Sequence, residues 1–182
     1  MNTFIALLRG INVSGAKTIK MDNLRKTFQR QGFENVATYI QSGNVVFTAS
    51  ETATSQLAAE IAEAIKTDFG FDVPVIVLTA AELQTIAKNN PLNDGTRDEA
   101  FLHVTFLAEN PAGFNLSDIE AKKQGNEEIV ISGKVVYLYC PHGYGKTKLT
   151  NTFLESKLKV PATTRNWKTT CELLRMAEVI KP

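Results

Sequence analysis

The sequence contains few of the residues that build cross-links and metal sites. Its 182 residues include two cysteines, two histidines and one tryptophan. Cys140 and Cys171 are too few for a disulfide framework. It has no C-x-x-C or H-x-x-x-H pair, so we expect no zinc site. We therefore expect neither a metal ion nor another cofactor.

An excess of charge of one sign is also missing. Lysine and arginine number 20 against 19 aspartates and glutamates, so the whole-chain charge gives no argument for nucleic acid. The charge is uneven, however, with six basic and two acidic residues in 1–50 but three and nine in 51–100. Either the acidic middle is a solvated helix face, or the basic ends form a local surface that attracts anions.

Long apolar runs are absent, and the longest is far short of the roughly 20 residues of a membrane span. The N-terminus shows no basic region followed by an apolar run and a cleavage site. We expect a cytoplasmic protein with reduced thiols and no membrane partner.

The order of predicted elements indicates the fold class. Residues 3–78 alternate as β-α-β-β-α-β, the split βαβ or ferredoxin-like pattern. The second half nearly repeats it, with a helix over 146–157 and a closing helix from Asn166 in place of the last strand. We predict an α+β fold of two ferredoxin-like halves with antiparallel sheets. They occupy residues 1–79 and residues 80–182, the second with an extra C-terminal helix.

Polar residues gather where three strands of the first half are predicted to end or begin. In a split βαβ unit the first two strands are parallel and the third runs antiparallel between them. Arg9 follows the first strand, Gln41 and Ser42 follow the second, and Asn44 begins the third. Their donors suit a small polar ligand. The alternative is structural: Arg9 bonds loop carbonyls, and Asn44 supplies a left-handed turn residue.

A glycine-rich segment at 142–147, HGYGKT, lies between a predicted strand and helix, as a phosphate-binding P-loop does. Cys140 stands where that motif needs its first glycine, so a nucleotide triphosphatase is not indicated. Two interpretations of the segment remain: it binds a single anion at the helix start, beside Lys146, or it is an ordinary turn.

The segment 161–167, PATTRNW, also allows two interpretations. Thr163 or Thr164 would cap the closing helix, with Trp167 in the core. Alternatively, Arg165 and Asn166 would contact ligand at a second helix start.

An aromatic face is predicted in the second sheet. Strand alternation groups Phe101, His103 and Thr105, and it groups Tyr137 and Tyr139 on a neighbouring strand. Such a face can stack RNA bases, but the basic-glycine-aromatic octamer of RNA-recognition sheets is missing. Packing against the first half or a second subunit is favoured, so a homo-oligomer through open sheet faces is a candidate assembly.

Three separated motifs resemble one known family. They are residues 6–13 (ALLRGINV) with Gly15, Lys17, Ile19 and Met21, residues 38–45 (TYIQSGNV), and Lys148 to Thr150 with residues 162–167 (ATTRNW). Together they resemble the bacterial family catalogued as domain of unknown function 1697. The resemblance implies a cytosolic protein with paired ferredoxin-like subdomains, and no catalytic mechanism to carry over.

No nucleophile elbow or paired carboxylates indicate a reaction, so whether the protein is an enzyme stays open. We expect it to bind a phosphate-bearing or other anionic ligand. Nucleic acid on the same surface, a small-metabolite enzyme and a protein-interaction module are the alternatives. The candidate ligand-binding residues are Arg9, Asn12, Lys17, Tyr39, Gln41, Ser42, Asn44, Lys146, Thr164, Arg165 and Asn166.

Overall fold

A computed structural model describes all residues, 1–182, and separates them into two compact units. The first contains Met1–Gln84 and Glu172–Pro182, and the second contains Thr85–Cys171. Each holds one four-stranded sheet. The expected halves divided at residues 79 and 80; in the structure the last part of the chain lies in the first unit.

The first unit follows the predicted β-α-β-β-α-β order. Its strands are arranged β2-β3-β1-β4, and every neighbouring pair is antiparallel. This confirms the split βαβ arrangement. The elements are β1 (Asn2–Leu8), α1 (Met21–Arg30), β2 (Glu34–Tyr39), β3 (Asn44–Ala49), α2 (Thr54–Phe69) and β4 (Val75–Thr79), followed by α3 (Ala80–Lys88).

The core of this unit lies between one sheet face and the two helices α1 and α2. Side chains alternate between faces along a strand, so Phe4 and Phe47, which are partners in the β1–β3 register, share the face that packs on Phe28. The other face carries Leu7 and Asn44, which are also register partners and are also buried.

The second unit has the same topology, with strand order β6-β7-β5-β8. The prediction that a helix replaces its last strand is wrong: residues 162–166 form β8 and pair with β5. This segment has no alternating apolar pattern, and the free edge of β5 makes it a strand. The elements are β5 (Leu102–Leu107), α4 (Leu116–Glu120), β6 (Glu128–Ser132), β7 (Val135–Tyr139), α5 (Asn151–Leu158) and β8 (Ala162–Asn166), followed by α6 (Trp167–Val179).

The structure differs from two further local predictions. The helix expected from residue 146 begins at Asn151, because the Thr150 hydroxyl caps it by accepting from the Phe153 N–H at 3.2 Å. The aromatic face is also divided. Strands β5 and β7 are neighbours as predicted, but Tyr137 pairs with Val104, whereas His103 pairs with Leu138. His103 and Tyr137 therefore lie on opposite faces.

None of the helices is both long and apolar enough to cross a bilayer.

Candidate functional site

One end of the first sheet brings together the polar loops predicted from the sequence. Asn44 is the register partner of both Leu7 on β1 and Tyr39 on β2, and the Leu8 N–H donates to the Gly43 carbonyl at 2.8 Å. The end of β1, the end of β2 and the start of β3 therefore meet, as the split βαβ topology requires. We call residues 9–20 and 40–43 the loop edge.

Asn12 holds the two halves of the loop edge together. Its side-chain Nδ2 donates to the Ile19 carbonyl at 3.0 Å and to the Gln41 carbonyl at 2.8 Å. Its Oδ1 accepts from the Ile19 N–H at 2.8 Å. Its backbone is left-handed, with φ 55°, a region that asparagine tolerates well. These contacts give Asn12 the role of a tie between the loops.

The turn between β2 and β3 is closed in a similar way. Asn44 is fully buried and its Nδ2 donates to the Tyr39 carbonyl at 2.9 Å and to the Ser42 hydroxyl at 3.0 Å. Asn44 thus holds the turn through its side chain. The left-handed residues of the turn are Ile40, with φ 47°, and Gly43, with φ 93°.

The loop edge is basic and lacks carboxylates. It carries a half-buried Arg9 and the exposed Lys17 and Lys20, and the sequence has no acidic residue from 1 to 21 or from 35 to 50. Lys17 Nζ donates to the main-chain carbonyl of Asp72 at 2.6 Å, which positions this ammonium beside the turn before β4. The residues of the edge itself therefore carry basic side chains and no acidic ones.

The edge also presents uncharged groups to solvent. The side chains of Gln41 and Ser42 are exposed, and Tyr39 is half-buried. The Ser42 hydroxyl accepts from Asn44, and a hydroxyl that accepts can also donate its one proton.

Sequence reasoning missed three residues of the edge: Val13, Lys20 and Ile40. Val13 is 58% exposed and Ile40 is 49% exposed, and both are among the few large apolar side chains on the surface. Val13 and Ile40 looked like ordinary apolar residues in the sequence, where nothing separates an exposed valine from a buried one. Lys20 immediately precedes α1. The only signal for it in the sequence was that two other basic residues, Arg9 and Lys17, lie in the same segment.

In the second unit, Thr164 and Arg165 lie on β8 and have structural partners. The Thr164 hydroxyl contacts the Thr105 hydroxyl at 2.7 Å and donates to Asn151 Oδ1 at 2.9 Å. Arg165 is 8% exposed, and its Nη1 donates to the Thr163 hydroxyl at 2.7 Å and to the Thr164 carbonyl. Burial lowers the pKa of its guanidinium to about 10.

Asn166 caps the closing helix, since its Oδ1 accepts from the Thr169 N–H at 2.8 Å. The prediction that Thr163 or Thr164 is this cap is wrong, because both belong to β8. Lys146 is exposed and ends a short 3₁₀ turn, Tyr144–Lys146, well before α5. It therefore has no helix start beside it.

The reactive groups of the second unit do not form a catalytic arrangement. Cys140 is fully buried, and burial, followed by the nearby Glu127 carboxylate, raises the pKa of its thiol to about 11. Such a thiol is a poor nucleophile. The His103 ring stacks on Tyr144 at a centroid distance of 4.6 Å, and burial lowers the pKa of His103. No group of three or more His, Cys, Asp or Glu side chains is placed to hold a metal ion.

A polar groove of about 200 Å³ lies between α1 and α2, and three of its polar side chains bond to one another. The Asp68 carboxylate accepts from the Thr27 hydroxyl at 2.5 Å and from Arg30. The Thr27 bond is the main cause that lowers the pKa of Asp68. These contacts tie the two helices together.

Comparison with known proteins places the chain in a family. Residues 1–137 match the family described as "Protein of unknown function (DUF1697)". A search of the curated proteins finds no match. The fold resembles that of the conserved bacterial protein SP0830 from Streptococcus pneumoniae, with a TM-score of 0.75 and 24% identity over 97% of this chain and 98% of that one. The matched segment contains the whole loop edge, and the chain belongs to the DUF1697 family of proteins of unknown function.

Proposed function

We propose that the first unit binds a phosphate-bearing or other anionic ligand at the loop edge. Arg9 and Lys17 supply charge, and Gln41 and Ser42 supply hydrogen-bond donors that orient the ligand. The side chains of Asn12 and Asn44 fix the loops that carry these groups, through hydrogen bonds. Both cysteines are free thiols, which is in keeping with a cytoplasmic protein.

The observation that carries this proposal is the combination of positive charge with a fixed backbone. In two loops that lack carboxylates, the Asn12 side chain makes two hydrogen bonds within its own loop and one to the other loop. A ligand that binds a preformed edge loses less free energy to ordering the protein than one that must organise flexible loops. The same charge accelerates the approach of an anion.

Thermal unfolding with a panel of anions tests the proposal. The panel contains inorganic phosphate, pyrophosphate, sugar phosphates and nucleoside mono- and triphosphates. A ligand at about 100 times its Kd adds about 2.7 kcal/mol of stability, a shift of several degrees. We expect Lys17→Ala and Arg9→Gln to reduce the shift.

Lys122→Ala, an exposed lysine of the second unit, is the matched control and should keep the wild-type shift. A panel that leaves the wild-type unfolding temperature unchanged would refute anion binding. A shift that survives in both edge variants would place the ligand elsewhere on the protein.

A further inference from the structure

We propose that the anionic ligand of the loop edge is a single-stranded nucleic acid. Its phosphates contact Lys17 and Lys20, and its bases pack on the exposed side chains of Val13 and Ile40. This inference rests on the proposed function, because it names the class of ligand for the same edge.

Ile40 is unfavourable to the free protein in two ways. Its backbone lies in the left-handed region, with φ 47°, where a branched side chain crowds the following carbonyl. Its side chain is also 49% exposed, so it contributes little to the core. Asparagine or glycine would suit this position of the turn better. A residue that costs stability and remains on the surface is expected where it contacts a partner.

Val13 and Ile40 lie on the two loops that the Asn12 side chain joins. Val13 follows Asn12, Ile40 precedes Gln41, and the Asn12 amide donates to the Gln41 carbonyl at 2.8 Å. Val13 is itself 58% exposed, on a tight loop closed by the Ala16 N–H, which donates to the Val13 carbonyl at 2.9 Å. Each of these exposed aliphatic residues is therefore one position along the chain from the Asn12–Gln41 contact.

The chemistry of this part of the loop edge favours nucleic acid. Aliphatic side chains pack on the apolar faces of bases and can insert between them. Base faces are accessible in single strands but hidden in a duplex. Lys17, Lys20 and Arg9 supply cations of the kind that contact phosphates, and residues 9–20 and 40–43 include no aspartate or glutamate.

An anionic membrane surface would also attract the cations. However, the exposed amide of Gln41 and hydroxyl of Ser42 follow Ile40 in the chain. Insertion of the aliphatic side chains into a bilayer would therefore bury these polar groups in hydrocarbon, which costs free energy. Against a base, the same two groups bond to its edge.

The test is fluorescence anisotropy with labelled RNA and DNA strands of about ten nucleotides, and with the matching duplex. About three phosphate contacts give a slope of about −2 in a plot of log affinity against log salt. Affinity then falls about 20-fold between about 50 and about 200 mM salt. We expect single strands to bind more tightly than the duplex.

Two sets of variants separate the contributions. Lys17→Ala combined with Lys20→Ala should flatten the salt slope. Ile40→Asn should weaken binding about five-fold while the slope stays unchanged, because it removes an apolar contact but no charge. Val179→Asn is the matched control, since Val179 is a 70% exposed aliphatic residue at the end of α6. The next residue, Ile180, accepts a hydrogen bond from the Thr3 hydroxyl, at the opposite end of β1 from the loop edge. Thermal unfolding should show Ile40→Asn at least as stable as the wild type, and Val13→Ser provides a second test of the apolar contact.

The outcomes distinguish this inference from the proposed function. If mononucleotides or phosphate stabilise the protein but strands bind no more tightly, anion binding holds and the nucleic-acid inference fails. If the strands bind but neither Ile40→Asn nor Val13→Ser changes their affinity, the base contacts proposed here are refuted. Binding to vesicles of phosphatidylglycerol and not to strands would also overturn it. If neither small anions nor strands bind, both proposals fail.

Discussion

The side-chain amide of Asn12 donates to the main-chain carbonyl of Gln41 at 2.8 Å, across 29 positions of the sequence. The same side chain exchanges two hydrogen bonds with the backbone of Ile19. A single residue therefore fixes the loop after β1 against itself and against the turn before β3. The placement of Lys17 and Ile40 at the loop edge depends on this contact.

Removal of this tie should destabilise the protein measurably. Asn12→Ala loses three side-chain hydrogen bonds and leaves a left-handed alanine, so we expect a loss of about 3 kcal/mol in the free energy of unfolding. Asn12→Gly loses the same bonds but tolerates the backbone, and it should cost about 1 kcal/mol less. Urea denaturation measures both. Equal losses in the two variants would show that the backbone conformation contributes nothing.

Gly43 and Gly10 form a matched pair at the loop edge. Both have positive φ, 93° and 75°, but a Cβ on Gly43 would lie 2.6 Å from Leu8 Cβ and 2.9 Å from Ile11 Cδ1, while a Cβ on Gly10 meets nothing within 4 Å. Gly43→Ala should cost about 3 kcal/mol or more, because strain and a clash add. Gly10→Ala should cost about 1 kcal/mol. If chemical denaturation gives both the same cost, close packing of the turn against Ile11 is not what requires glycine.

The stability of the protein should fall as the pH drops below neutrality. Burial is the main cause that lowers the pKa of His103 and outweighs a backbone hydrogen bond with Phe101, so the native state binds fewer protons than the unfolded state. The contribution is fully present above the unfolded pKa of about 6.5 and is lost as the pH falls towards the lower folded value.

His103→Phe tests this assignment because it keeps a ring against Tyr144 and removes the titration. Urea denaturation between about pH 7.5 and about pH 5 should give a flatter profile for the variant. The carboxylates whose pKa is lowered, such as Asp94 at about 2, titrate in a more acidic range. If the stability of His103→Phe depends on pH as steeply as that of the wild type, another group causes the pH dependence.

The two thiols should differ in reactivity. Cys140 is fully buried with a pKa raised to about 11, whereas Cys171 is exposed. Iodoacetamide should label Cys171 in the native protein, as read by mass spectrometry, and Cys140 only at the rate of unfolding. The variant Cys171→Ser should therefore resist labelling until urea is added. Rapid labelling of Cys140 in the native protein would contradict its burial.

The fold was predictable from the sequence where local pattern and tertiary environment agree. Residues of β1 form an apolar run, and the turn at 42–44 is marked by Ser, Gly and Asn, so the order of elements from β1 to β4 was predicted correctly. Strand β8 was not predicted, because its residues Thr163, Thr164 and Arg165 resemble the start of a helix. Their strand conformation comes from pairing with β5, a contact between residues about 60 positions apart.

The candidate site shows the same division. The sequence alone determined that Arg9, Gln41 and Asn44 meet at one end of a sheet, because chain handedness allows one crossover for a split βαβ unit. Only the tertiary structure decided that the side chains of Asn12 and Asn44 hold the loops together by hydrogen bonds, while Val13 and Ile40 are exposed. Burial and exposure depend on which loops come together in space, and loop conformation here follows from single long-range hydrogen bonds and close contacts that no periodic pattern encodes.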